Sequence, residues 1–152
     1  MRRSKIEVYL HFVWATYERR PLLTPEIEQA VYGCILTEAA RLRCEVLALG
    51  GTEDHVHLAI QFSNTVCLGD LMKQVKGVSS HLVKAEFGEE TFFRWQEGYG
   101  VFSFSRPHRE KVIAYVQNQK HHHERGNLWP EWEETDEEAD ELPSPVRRTV
   151  AF

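Results

Sequence analysis

An α+β domain, with a central antiparallel sheet and helices packed on it, is the fold class predicted by three observations. The hydrophobic pattern of residues 1 to 130 switches between strand-like alternation and helical spacing at short intervals. The chain has 152 residues, 42% hydrophobic and 27% charged, which is the balance of an ordinary globular domain long enough to bury a core. No internal repeat or low-complexity segment interrupts those residues, so one domain is expected rather than an array. The elements read in the order β-α-β-β-α-β-α.

Residues 6 to 17 are rich in β-branched and aromatic side chains and predict a long strand. Val8, Leu10, Phe12 and Trp14 fall on one face of it, and Tyr9, His11 and Val13 on the other. Arg19, Arg20 and Pro21 end it. Thr24 is a good N-cap with Pro25 at the first helical position, and Ile27, Val31, Ile35, Ala39 and Leu42 recur at helical steps to about Arg43. Residues 45 to 49 and 56 to 62 predict two neighbouring antiparallel strands, joined through the turn-forming stretch Gly50-Gly51-Thr52-Glu53-Asp54. From Leu68 to Phe87 helical spacing returns through Leu71, Val75, Val78, Leu82 and Ala85, with Lys73, Lys76 and Lys84 on the polar side. Residues 99 to 104 predict the last strand, and Pro107 opens a last helix running to about Glu124.

Composition narrows the function classes. The apolar runs are far shorter than the ~20 residues of a membrane-spanning helix, and the start has no apolar segment of signal-peptide length. No membrane partner and a cytoplasmic location are expected. Cys34, Cys44 and Cys67 form no CxxC pair and read as reduced, small buried side chains. The formal net charge is −5, yet eight acidic residues lie between Glu131 and Glu141, and residues 1 to 130 hold 16 basic against 15 acidic groups. Residues 131 to 152, an acidic run followed by Leu142-Pro143-Ser144-Pro145, therefore read as a disordered tail. P-loop and Rossmann glycine patterns are absent.

The residues that can do chemistry gather in two places. His55 and His57 are two apart on a predicted strand, so the pleat points both imidazoles to one face, where they can grip one divalent cation. Spacing alone fits a metal-free, half-buried polar pair at least as well. Tyr115 and Gln119 are four apart on the last helix and present a phenol and an amide oxygen together. The oxygen suits a third metal ligand and the phenol a nucleophile, although a core tyrosine beside a solvated glutamine has the same spacing. Asp54 is placed to orient an imidazole, or simply to shape the turn. His121-His122-His123 fan out by ~100° per residue if helical and cannot all face one ion.

The segment Glu53-Asp54-His55-Val56-His57-Leu58 resembles a histidine-hydrophobe-histidine strand, and Tyr115-Val116-Gln117-Asn118-Gln119 resembles a catalytic tyrosine helix. Both are similar to segments of the single-tyrosine HUH transposases of insertion-sequence 200/605 type, the IS200-like family that includes transposases associated with repetitive extragenic palindromes. Lys76-Gly77-Val78-Ser79-Ser80, Trp95 to Gly100 and Phe102-Ser103-Phe104-Ser105 extend the resemblance in the same order over most of residues 6 to 130.

The resemblance implies a ferredoxin-like HUH fold for residues 1 to 130 and a DNA transposase activity on single-stranded DNA. By it, Tyr115 is the nucleophile that forms a covalent 5′-phosphotyrosine at hairpin-containing element ends, and His55, His57 and Gln119 hold Mg²⁺ or Mn²⁺. It further implies single-stranded and hairpin DNA as partners and a homodimer with composite active sites. Lys73, Lys76, Lys84, Arg94, Arg106 and Arg109 are the candidate phosphate contacts, each equally readable as a solubilising charge. Phe93, Trp95 and Tyr99 are candidates for base stacking or, more simply, for the core. Two neighbouring readings share these residues: a domesticated endonuclease acting on palindromic repeats, and a DNA-binding module without catalysis.

Overall fold

A computed structural model describes residues 3–120. Four strands and three helices alternate as β1 (Tyr9–Ala15), α1 (Pro25–Arg41), β2 (Glu45–Gly51), β3 (His55–Gln61), α2 (Leu68–Phe87), β4 (Gly100–Phe104) and α3 (Arg109–Gln117). The strands form one antiparallel sheet in the order β2-β3-β1-β4, which confirms the α+β class and the element order expected. The expected acidic tail, residues 131–152, and His121 to His123 lie outside the described residues.

The central strands β1 and β3 are buried on both faces and lack any exposed row of residues. On one face Leu10, Phe12 and Trp14 from β1 and Val56, Leu58 and Ile60 from β3 meet Ile27, Val31 and Ile35 of α1 and Leu71 and Val75 of α2. Ala48 and Ala59 lie on the other face beneath Val112 and Val116 of α3. Small side chains there let the short α3 approach the sheet closely.

Several boundaries differ from the sequence expectation, each for a local reason. The first strand ends at Ala15 because Glu18 and Arg19 both adopt φ 51°, in a short 3-10 turn at Tyr17–Arg19. Gly50 and Gly51 belong to β2 and pair with His57 and Val56, so the hairpin turn is confined to Thr52–Asp54. In α2 the buried stripe is Leu71, Met72, Val75, Ser79 and Val83, while Val78 and Leu82 are half-buried and Ala85 is exposed. Ser79 can occupy the stripe because its hydroxyl donates to Val75 O at 2.7 Å and accepts from Trp95 Nε1 at 2.9 Å.

Pro107 lies in a 3-10 turn (Arg106–His108) ahead of α3 (Arg109–Gln117), and the expected continuation to about Glu124 falls beyond residue 120, outside the described residues. Asn118 caps α3 by donating from both its backbone N and its Nδ2 to Ala114 O, at 3.1 and 2.7 Å. The three cysteines are free thiols, but only Cys44 is buried, Cys34 being half-buried and Cys67 exposed.

Candidate active site

The site grows from the register of two neighbouring strands. In β3 the pleat sends Val56 and Leu58 into the main core and His55 and His57 to the α3 face. β1 pairs with β3 so that Val13 lies opposite His57 and His11 opposite Ala59, placing His11 diagonally beside His57 on the same face. Tyr115 of α3 closes the group: its ring lies edge-on to His57 at 5.9 Å between centroids and to His11 at 6.4 Å. His55 lies 5.1 Å from His57 by the same measure. All four are at least 98% buried.

Each histidine of β3 has a defined partner at Nδ1. His55 Nδ1 lies 2.6 Å from Asp54 Oδ1 and 2.9 Å from Thr52 Oγ1, and Thr52 also donates to Asp54 Oδ1 at 3.1 Å. Burial works to raise the Asp54 carboxyl pKa, but the hydrogen bond and charge of His55, with help from Thr52, bring it below its ordinary value. An ionised carboxylate can only accept, so His55 carries a proton on Nδ1 toward Asp54. His57 Nδ1 is 2.8 Å from His11 Nε2.

Gln119 lies just beyond the end of α3 and is buried, with its Nε2 donating to Tyr115 O at 3.0 Å. That bond orients the amide by its nitrogen. Two imidazoles held at Nδ1 and a buried amide are donor types from which a divalent-cation site can be built. Among the described residues no three His, Cys, Asp or Glu side chains cluster so as to hold a metal, and the expected trio indeed contains only two such groups.

The structure thus brings Tyr115, His55, His57, Asp54 and the turn carrying Gln119 to one region. It also adds His11, which the sequence reading placed on a strand face without assigning it to the site. The signal was present, as a single imidazole in an otherwise apolar strand, but only the β1–β3 register shows what it touches.

The six basic candidates are dispersed. Lys73 and Lys84 are exposed on α2, which covers the opposite face of the sheet. Lys76 is half-buried, and its Nζ donates to Gln96 O at 2.7 Å and Gly98 O at 3.0 Å, so it fastens the loop before β4. Arg94 stacks its guanidinium 4.7 Å from the Tyr17 ring. Arg106 forms a bidentate pair with Glu7, and Arg109 lies 6.0 Å from the Tyr9 ring. Phe93 and Trp95 are buried in the main core and Tyr99 packs against it.

This fold is shared with two solved proteins. A protein of Deinococcus radiodurans R1 described as a transposase superposes with a TM-score of 0.60 at 24% identity, covering 78% of this chain and 98% of its own. A REP-associated tyrosine transposase solved with a REP hairpin superposes with a TM-score of 0.60 at 16% identity, covering 86% of this chain and 79% of its own. No curated protein matches the chain.

The particular family comes from the sequence itself. The family model described as "Transposase IS200 like" matches residues 4–119, and the chain belongs to that family. Membership makes it a DNA-cleaving enzyme of the transposase class. No helix among the described residues is long and apolar enough to cross a membrane.

Proposed function

We propose that this transposase cuts and rejoins single-stranded DNA through Tyr115, at element ends that contain hairpins. One observation carries the reading: the phenol-bearing ring of Tyr115 packs against His57 and His11, at the head of a group that also holds His55 and Gln119. A tyrosine kept only for packing has no need of paired imidazoles whose Nδ1 atoms are already engaged.

In the proposed reaction the Tyr115 oxygen attacks the scissile phosphorus, the bond from phosphorus to the 3′-oxygen breaks, and a 5′-phosphotyrosine ester forms. The phenol proton leaves to solvent and the released 3′-oxygen takes one up. A 3′-hydroxyl of the strand to be joined later attacks the same phosphorus and restores the phenol. One phosphodiester is exchanged for another, so no nucleotide cofactor is required.

His55, His57 and Gln119 are the residues that would hold Mg²⁺ or Mn²⁺. When bound, that ion supplies charge to polarise the phosphate and favour the phenolate. Asp54 keeps the His55 ring in the ligating tautomer. With these side chains almost fully buried, the site has to open before a DNA strand can reach the phenol.

The working form in this reading is a cytoplasmic homodimer with composite sites, the tyrosine helix serving one of two histidine pairs. Within a single chain α3 already lies over its own β2 and β3. The test is incubation with labelled single-stranded hairpin oligonucleotides from the flanking DNA, with Mn²⁺, followed by a denaturing gel. A covalent protein–DNA adduct that disappears with EDTA and in Tyr115→Phe is the expected result. Metal and hairpin binding without any adduct would reduce the protein to a binding module.

A further inference from the structure

We infer that His11 is a positioning residue for the metal-ligating face of His57, performing for that imidazole the task that Asp54 performs for His55. The inference rests on the reading of His55 and His57 as ligands given above, but its geometry is independent of it.

The two histidines of β3 are treated in parallel. Each makes its hydrogen bond through Nδ1: His55 to Asp54 Oδ1 at 2.6 Å, and His57 to His11 Nε2 at 2.8 Å. A ring that donates from Nδ1 carries its lone pair on Nε2, so both rings then offer the same atom to a cation. For His57 this requires His11 to accept at Nε2, which places the proton of His11 on Nδ1.

The environment suits a neutral orienter. His11 is 99% buried in the middle of β1, with its ring 6.3 Å from Phe102 and 6.4 Å from Tyr115 between centroids. A carboxylate at this point would place a second formal charge under the tyrosine and oppose its ionisation, whereas an imidazole accepts the bond without one. The backbone of His11 is held in the sheet by the pairing of Leu10 with Ile60 and Phe12 with Leu58 on either side. Its ring also lies beside both the His57 ring and the Tyr115 ring.

The direct test is ¹⁵N NMR of histidine-labelled protein without added metal. His57 is expected in its Nδ1–H form, with a through-bond coupling across the N–H···N bond to His11. An Nε2–H form of His57, or a proton resident on His11 Nε2, overturns the assignment. The second test is Mn²⁺ affinity, read by electron paramagnetic resonance. His11→Phe is expected to weaken binding about 10- to 100-fold, the usual consequence of removing an outer partner of a ligating histidine. His11→Gln, whose Oε1 can accept at the same reach, should recover most of the loss, and a Gln variant as weak as Phe would mean that His11 only packs.

If His11→Phe does not fold, the tautomer measurement on the wild-type protein still decides the matter. The correct tautomer with no covalent DNA adduct would leave the positioning role standing and refute the proposed reaction. An adduct with the wrong tautomer would do the reverse.

Discussion

Gly50 of β2 lies directly beneath the backbone of Val116 in α3, so close that a Cβ on Gly50 would come within 2.1 Å of the Val116 carbonyl oxygen. The approach is backbone to backbone, and no side-chain rearrangement can relieve it. Since Val116 follows Tyr115, this contact sets the height of the tyrosine above the sheet. Gly50→Ala must therefore lift α3. We expect a loss of about 1–3 kcal/mol in stability, the usual cost of overpacking, with adduct formation lost more completely than stability. Urea unfolding and the gel assay read the two effects separately, and full activity in the variant would show that the docked position of α3 is not the reactive one.

Tyr115→Phe removes a single oxygen from a buried ring that otherwise packs against His57 and His11. Hairpin binding and the cooperative unfolding transition should persist, while covalent adduct falls to background. Adduct at the wild-type level would assign the nucleophile to another residue.

Lys76 is both a candidate phosphate contact and the donor to two carbonyls, Gln96 O and Gly98 O. Gly98 sits at φ 82°, a left-handed turn that glycine adopts without strain, and its carbonyl is one of the two that Lys76 holds. Lys76→Met should destabilise the fold by about 1–3 kcal/mol through the unsatisfied carbonyls. If this is its role, the salt dependence of DNA binding stays as in the wild type. A slope shallower by about one would instead count Lys76 among the phosphate contacts.

Glu7 pairs with Arg106 and accepts from Tyr9 Oη at 2.5 Å, and these bonds, led by Arg106, lower its carboxyl from 4.5 to about 2. A depressed carboxyl adds stability above its unfolded value, and that contribution fades as pH falls from about 4.5 through about 2. Arg106→Gln should bring the Glu7 titration, followed by carboxyl NMR, back toward the ordinary range and remove this part of the acid sensitivity. Because the pair occupies Arg106, Glu7→Gln should also strengthen hairpin binding at low salt if that arginine meets phosphate, and leave it unchanged if it does not.

Outside the described residues, the charge asymmetry of the chain still makes a prediction. The region 131 to 152 carries eight acidic and two basic residues, a charge balance that would set it in competition with DNA for basic groups. Truncation after residue 130 should tighten single-stranded DNA binding at low salt, with the difference vanishing at high salt.

Much of the molecule is legible in the chain because its cues are local. The N-cap at Thr24, with Ile27 N donating to its hydroxyl, and the span Leu68–Phe87 are set by capping chemistry and helical spacing within one segment. The shared face of His55 and His57 follows from the pleat alone. Tertiary structure decided what local periodicity cannot carry. It sets β1 between β3 and β4, so that His11, 46 positions away, meets His57. It turns α2 so that Ser79 and Val83 face inward, and it commits Lys76 and Arg106 to partners on distant loops. A residue's own neighbours determine which way it can point, whereas the partner it finds there depends on long-range pairing that only the packed core selects.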